Sequence, residues 1–270
     1  MRIGVSFVGA DPQGLDRERM MSDARLAESV GFDSLWFFDA LGRGHILPDP
    51  LIAVTVAALA TQRIELGTCV MQVPLRRPAE LAHRVLSAQL AADGRFVYGV
   101  GAGSTRGDFE LVGADFDDRM QALDEGLGVM RKLWQGESHN GHALFPWEAT
   151  RGGPPVLIGS WSGKRWIPRA ARDFDGWIAS GAKSSYEAVK AGIGTFRAEG
   201  GKRAVLTNIQ YDFDAPTTEL PDDGPFHLRC DLGAARERMQ RMVELGYDDA
   251  VFMLSSREPA ELEAIRGLVG

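Results

Sequence analysis

Apolar residues along this chain fall into two alternating patterns. Short runs rich in β-branched and aromatic residues, the signature of buried strands, occur at Ile3–Val8, Ser34–Phe38, Ile64–Met71, Phe96–Gly101, Val156–Gly159, Gly176–Ser180, Val205–Phe213 and Ala250–Leu254. Between and after them, helical patterns run over Asp16–Val30, Pro50–Ala60, Pro78–Ala91, Asp118–Trp134, Gly163–Ala171, Ser184–Glu199, Asp231–Leu245 and Pro259–Leu268. The helical period is plainest after Asp118, where Met120, Leu123, Leu127, Met130 and Trp134 share one face. Eight strands alternating with eight helices predict an α/β fold, a single (β/α)8 TIM barrel over residues 1–270. In that fold, loops after strands build the active site and loops after helices lie at the other face.

A short repeat supports the count. The stretch SVGFDSLW at 29–36 recurs as ELGYDDAV at 244–251, with a weaker relative, FDGWI, at 174–178. In the first two, the glycine fits the left-handed position that ends a helix, and a strand starts a few residues on. The stretch GVGAGST at 99–105 looks like a phosphate loop, but a dinucleotide fingerprint needs G-x-G-x-x-G at the first strand-to-helix turn. Here the spacing is G-x-G-x-G, and the stretch reads as the end of the fourth strand and the start of an active-site loop. Two irregular stretches are long. Gln135–Pro155 follows a helix and is expected on the non-catalytic side, whereas Asp214–Arg229 follows the seventh strand and is expected to cover the site as a lid.

Composition narrows the function. With 44% hydrophobic and 25% charged residues, 270 residues bury a substantial core. A formal net charge of -7 argues against nucleic acid, which is bound mainly through clustered Lys and Arg. The two cysteines, Cys69 and Cys230, lie far apart with no metal-ligand spacing, so both read as free thiols and no metal is expected. The N-terminal apolar run is too short for a signal peptide, and no window approaches the roughly 18 apolar residues of a membrane span. A cytoplasmic protein acting on a small molecule is expected. In Pro50–Ala60, Leu51, Ile52, Val54, Val56 and Leu59 alternate with alanines, so the helix is apolar nearly all round; its outer side is expected to be buried in a homodimer.

Several segments in order resemble the bacterial luciferase-like superfamily, the flavin monooxygenases and F420-dependent oxidoreductases built on (β/α)8 barrels. They are AESVGFDSLWFFD, DPLIAVTVAALATQRIELGTCVM, PLRRPAELAHRVLSAQLAADGRFVYGVGAG, DFELVG, LDEGLGVMRKLWQGE and PPVLIGSWSGKRWIPRAARDFDGWIASG, together spanning about Ala27 to Gly181. The resemblance implies that the flavin ring packs against a bulge at the end of the third strand, often with a cis non-proline peptide. The matching residues are Thr68, Cys69 and Val70. It also implies that the cofactor phosphate sits in the loop after the fifth strand, at Gly159, Ser160, Trp161, Ser162, Gly163 and Lys164. Small residues, hydroxyls, helix N-terminal N–H groups and a lysine suit a phosphate independently of the family, although a plain Ser-capped helix reads the same way.

The departures bear on mechanism. Many F420-dependent dehydrogenases of this kind carry His directly after the Asp that ends the second strand; here Asp39 is followed by Ala40, and the next histidine is His45. Some relatives place Glu after the G-x-G-x-G run, where this chain has Ser104. Asp39, His45 and Ser104 are therefore the candidate catalytic residues, without the usual proton-transfer pair. Phe7, Trp36, Phe38, Met71, Arg106 and Trp161 join Asp39 and His45 as pocket candidates, with barrel packing the plain alternative for the aromatic ones. Coenzyme F420, whose tail is acidic, is slightly favoured over FMN by Arg76, Arg77, Arg106, Lys164 and Arg165, all in loops after strands or at the helix starts beyond them. The expected function is hydride transfer to, or monooxygenation of, a small organic substrate. The alternatives are a catalytically inactive flavin-binding relative and a flavin-free phosphate-binding isomerase or aldolase.

Overall fold

The apolar runs become parallel strands. In the computed structural model, which describes residues 1–7, 15–44, 46–161 and 165–269, the strands are β1 (Arg2–Phe7), β2 (Ser34–Phe37), β3 (Glu65–Thr68), β4 (Met71–Gln72), β5 (Phe96–Gly101), β6 (Val156–Gly159), β7 (Gly176–Ser180), β8 (Ala204–Asp212), β9 (His227–Arg229) and β10 (Asp249–Leu254). They join in the order β10-β1-β2-β3-β5-β6-β7-β8-β9, β4 pairs with β5, and β10 also pairs with β8. Such an order, with the last main strand beside the first, is that of the (β/α)8 barrel. The helices are α1 (Arg17–Val30), α2 (Pro50–Ala60), α3 (Pro78–Ala92), α4 (Arg106–Val112), α5 (Arg119–Trp134), α6 (Trp166–Asp173), α7 (Tyr186–Ala198), α8 (Leu232–Leu245) and α9 (Pro259–Arg266). Among them only α4 has no counterpart in the helical patterns of the sequence, being too short to show a period. No helix of the described residues is long and apolar enough to cross a membrane.

Contacts group the chain into two compact units, Met1–Trp36 with Leu157–Gly270, and Phe37–Val156. In the first, β1 pairs with β10 along its whole length, from Arg2 opposite Asp249 to Phe7 opposite Leu254. Gly4 faces Ser34, and a Cβ there would come within 2.4 Å of the Ser34 hydroxyl. That hydroxyl accepts from the indole of Trp36 at 2.8 Å, so Trp36 is packed into the core. Asp249 is fully buried and held by Arg203 through two bonds of 2.9 and 2.7 Å, with Arg2 at 3.4 Å. The repeat becomes one cap used twice: Gly31 (φ 88°) ends α1 and Gly246 (φ 100°) ends α8, each N–H donating back to carbonyls of the last turn. In the middle of β8, Asn208 (φ 56°) makes a bulge against β10 and donates to the hydroxyls of Ser180 and Thr207.

The stretch expected as a lid is tied along its length within this unit. Glu187 N–H donates to Asp222 O, Tyr186 N–H to Gly224 O and Phe226 N–H to Gly181 O, and β9, its last part, pairs with β8.

In the second unit, Trp134 anchors the outer layer, donating to Ala82 O at 3.1 Å and meeting Tyr98 edge-on. The Gln135–Pro155 stretch returns to it: Gly152 N–H donates to Trp134 O, and a Cβ on Gly153 would lie 2.4 Å from the indole. On α2, Leu51, Ala53, Val54, Ala57 and Ala58 are buried, while Ile52 and Leu59 stand 58% and 74% exposed.

Replacing Arg203 by Leu strips the fully buried Asp249 of the guanidinium that holds both its oxygens, while Arg2 remains at 3.4 Å. The expected loss is about 2–3 kcal/mol of unfolding free energy, below the cost of fully orphaning a buried charge. Urea denaturation of the variant checks this; a change under about 0.5 kcal/mol, ordinary for a surface site, would contradict it.

Candidate active site

The third strand of the sequence pattern breaks in two. Leu66 and Gly67 pair with Phe96 and Val97, and Met71 and Gln72 pair with Val100 and Gly101. One chain therefore advances four residues where its partner advances three, which is a bulge. Within it the Cys69–Val70 peptide bond is cis. Thr68 and Cys69 are buried and turned to the backbone: the Thr68 hydroxyl donates to Gly99 O at 2.7 Å, and Cys69 N–H to Phe37 O at 2.9 Å. Burial pushes the Cys69 thiol pKa far up, so it stays a thiol and a poor nucleophile. Val70 is half-buried and is the surface this stretch presents.

Next to the bulge, Gln72 ties three loops together. Its N–H donates to Asp39 Oδ2 at 2.8 Å, and its Nε2 donates to Asp39 O at 3.0 Å and Asp108 Oδ2 at 2.9 Å. Two acceptors fix the amide orientation, since a flipped amide would set oxygen against oxygen twice. Its Oε1 is buried without a partner among the described residues, 2.5 Å from where a Cβ on Gly103 would stand, so only glycine fits there.

Two carboxylates flank Gln72. Asp39 follows the end of β2, and both its oxygens are taken by the Arg76 guanidinium at 2.5 and 2.9 Å. Burial disfavours the Arg76 charge, but the bonds to Asp39 outweigh it and raise its pKa. Asp108, fully buried on α4, accepts from Gly42 N–H at 2.9 Å, Arg43 Nη2 at 3.0 Å and Gln72. Burial would raise its pKa; the hydrogen bonds from Arg43, Gln72 and Gly42 outweigh that and hold it below the usual carboxylate value. Gly42 lies so close to α4 that a Cβ would come within 2.4 Å of Gly107 O. The loop after β2 and the start of α4 are thus locked to each other.

In the other unit, the loop after β6 is fixed through its backbone. Ser160 N–H donates to Ile178 O at 3.1 Å, its carbonyl accepts from Trp177 Nε1 at 2.9 Å, and Trp161 O accepts from the Ser184 hydroxyl at 3.0 Å. The Ser160 hydroxyl has no protein partner among the described residues, and Gly159 and Ser160 are half-buried. Ser162, Gly163 and Lys164 lie outside the described residues, as does His45.

The candidate residues therefore separate. Asp39 is built into a saturated ion pair, and Ser104 is exposed with no hydrogen bond among the described residues. Trp36 and Met71 belong to the core, Phe7 and Phe38 are half-buried, and Trp161 is 41% exposed. Arg106 pairs with Asp117 at 3.0 Å and stacks on Phe116. Gln72, Gly42, Arg43 and Asp108 were not legible as site residues.

A family profile described as luciferase-like monooxygenase matches residues 1–210. The chain belongs to the luciferase-like monooxygenase family. Over 131 residues this luciferase-like protein is 33% identical to 4-hydroxyprotoasukamycin monooxygenase of Streptomyces nodosus subsp. asukaensis, covering 48% of the chain and 35% of that relative. Over 220 residues it is 27% identical to 5,10-methylenetetrahydromethanopterin reductase of Archaeoglobus fulgidus, covering 78% of the chain and 63% of the relative. The match thus spans about a third of the first of these curated relatives and less than two thirds of the second. Its fold is that of the monooxygenase RslO1 from Streptomyces bottropensis, with a TM-score of 0.78 at 18% identity over 99% of this chain and 96% of that one. Members of the family use F420 or FMN.

A carboxylate whose pKa is lower folded than unfolded stabilises the protein fully at neutral pH and loses that contribution as pH falls through its folded value. Asp108→Asn is therefore expected to lower the melting temperature at pH 7, with the gap to the unmodified chain narrowing below the ordinary carboxylate value of 3.8. Melts between neutral and acid pH read this directly, and a gap that stays constant would contradict it.

Proposed function

We propose that this chain is a flavin-dependent monooxygenase of a small organic substrate, using reduced FMN. The observation that carries the reading is the fate of the acids: Asp39 is saturated by Arg76 and Gln72, and Asp108 by Gly42, Arg43 and Gln72. Neither has a free oxygen with which to exchange a proton with a bound alcohol. A flavin asks less of the protein, because the cofactor carries the redox chemistry and the protein supplies orientation and exclusion of water.

The residues present fit such a cofactor. Val70 offers an apolar surface beside the cis bond, with the neighbouring thiol neutral and buried. Ser160 offers a hydroxyl with no protein partner among the described residues, on a loop whose backbone is already fixed, which suits a phosphate. Bound beside Val70, reduced FMN would supply two electrons to dioxygen, of which one oxygen atom enters the substrate and the other leaves as water; Asp39, Gln72 and Asp108 hold the bulge and its flanking loops in place. Of the cations that favour F420, Arg76 is spent on Asp39 and Arg106 on Asp117, which moves support toward FMN. The F420 reading is favoured by the likeness to an F420-dependent glucose-6-phosphate dehydrogenase of Amycolatopsis mediterranei, 30% identical over 42% of the chain and 37% of that relative.

Parallel titration of the full chain with FMN, oxidised and reduced, and with F420 tests this through the fluorescence of its six tryptophans. Micromolar FMN binding is expected. Binding of F420 alone would move the reaction to hydride transfer, and binding of neither would remove the function. Gly159→Asp places a carboxylate where the phosphate is expected and should weaken cofactor binding by about tenfold or more; unchanged affinity would take the loop after β6 out of the site.

We also propose that two copies pair through the Ile52 and Leu59 face of α2, which carries large apolar side chains into solvent. Sedimentation is expected to show a dimer at micromolar concentration and a monomer for Leu59→Glu. A monomer in both would end the proposal.

A further inference from the structure

Within the first unit, a groove of about 750 Å³ is lined by α7, α8 and the Thr217–Asp222 part of the stretch after β8. That size is within the range of about 300–1,000 Å³ common for small-molecule sites and is far more than a bare ion fills. Arg238, on α8, is 6% exposed and lines it. Its guanidinium donates to His227 O at 3.1 Å and to Thr218 O, and among the described residues no carboxylate lies within ion-pairing distance of it. The guanidinium of Arg76, by contrast, has Asp39 as its counter-ion.

Two carbonyls need two N–H donors, which an uncharged side chain also supplies; they do not need a cation. A buried cation without a counter-ion is expensive, and a bound anion removes that expense. The charge is felt nearby: His227 is held below its ordinary pKa by burial and then by Arg238 and Arg229. Along the helix from Arg238, Arg241 lines the same groove, exposed and without a partner among the described residues. Lys190 is already matched by Asp222 at 2.5 Å. The remaining acids of the groove, Glu219 and Glu237, are exposed, where solvent screens them more than it screens Arg238.

We propose that this groove binds an oxyanion, phosphate or carboxylate, carried by a small organic molecule, with Arg238 and Arg241 as the groups that hold it. The ligand sits against Thr218 and its neighbours and so fastens the stretch after β8 to α8. The proposal does not depend on the identity of the redox cofactor.

The test is calorimetric titration of the full chain, in buffer free of both anions, with inorganic phosphate and separately with succinate. At least one is expected to bind saturably, with a Kd of about 1 mM or tighter, and the one that binds selects the class of ligand. Arg241→Gln, which breaks no bond among the described residues, is expected to weaken binding about fivefold or more at an unchanged melting temperature. Phosphate held only by the loop after β6 would be insensitive to that change. No saturable binding of either anion up to about 20 mM, or Arg241→Gln binding as the unmodified chain does, would overturn the proposal. Arg238→Gln adds to the test where it folds, and Arg241→Gln decides without it.

Discussion

The buried pair of Asp39 and Arg76 is the contact on which the second unit is built. Both groups are taken out of water, so each is tolerable only because the other is there; removal of one partner from such a pair costs about 3–5 kcal/mol. The carboxylate also takes the backbone N–H of Gln72, next to the cis bond, and Gln72 passes the constraint on to Asp108 and from there to Gly42. Position is thereby transmitted from the end of β2 to α4 through polar contacts in which nearly every donor and acceptor is used. Gln72 Oε1 is the exception, and it is shielded by a residue without a side chain.

A network so saturated gains rigidity at the expense of reactivity. An acid that exchanges protons needs an oxygen within reach of the substrate, and those of Asp39 and Asp108 are buried and each already accepts a hydrogen bond. Chemistry then falls to whatever the scaffold binds, which is how a cofactor-dependent enzyme differs from an acid–base one. The luciferase-like family, with its F420 and FMN members, is consistent with that division of labour.

Strands and helices were legible because their apolar periods are long compared with their ends. Pro50–Ala60 forms with those bounds, since Asp49 caps it and Pro50 opens it. The two glycine caps could be read from the repeat alone. The bulge was legible only through family resemblance: GTCVM is an ordinary run of strand residues, and nothing in its period marks the extra residue. The polar cluster was harder still. Asp39 stands out at a strand end, but its role depends on Gln72 and Arg76, 33 and 37 positions away, and through Gln72 on Asp108, contacts made only after folding. Asp108 was further hidden because α4 is short. The uncompensated charge of Arg238 has no sequence signature, since an arginine among acids on an amphipathic helix looks solvated until its burial is known.

The pairing of β1 with β10 sets an order of events in the cell. Synthesis makes Arg2–Phe7 long before Asp249–Leu254, the strand that covers its far edge, and the unit containing both is interrupted by all of Phe37–Val156. A ribosome moving at about 5–20 residues per second therefore exposes an unpaired, apolar edge strand for on the order of ten seconds or longer. Through that interval the nascent chain carries an open sheet edge, and a stop codon anywhere before Asp249 leaves β1 with β2 alone and that edge uncovered.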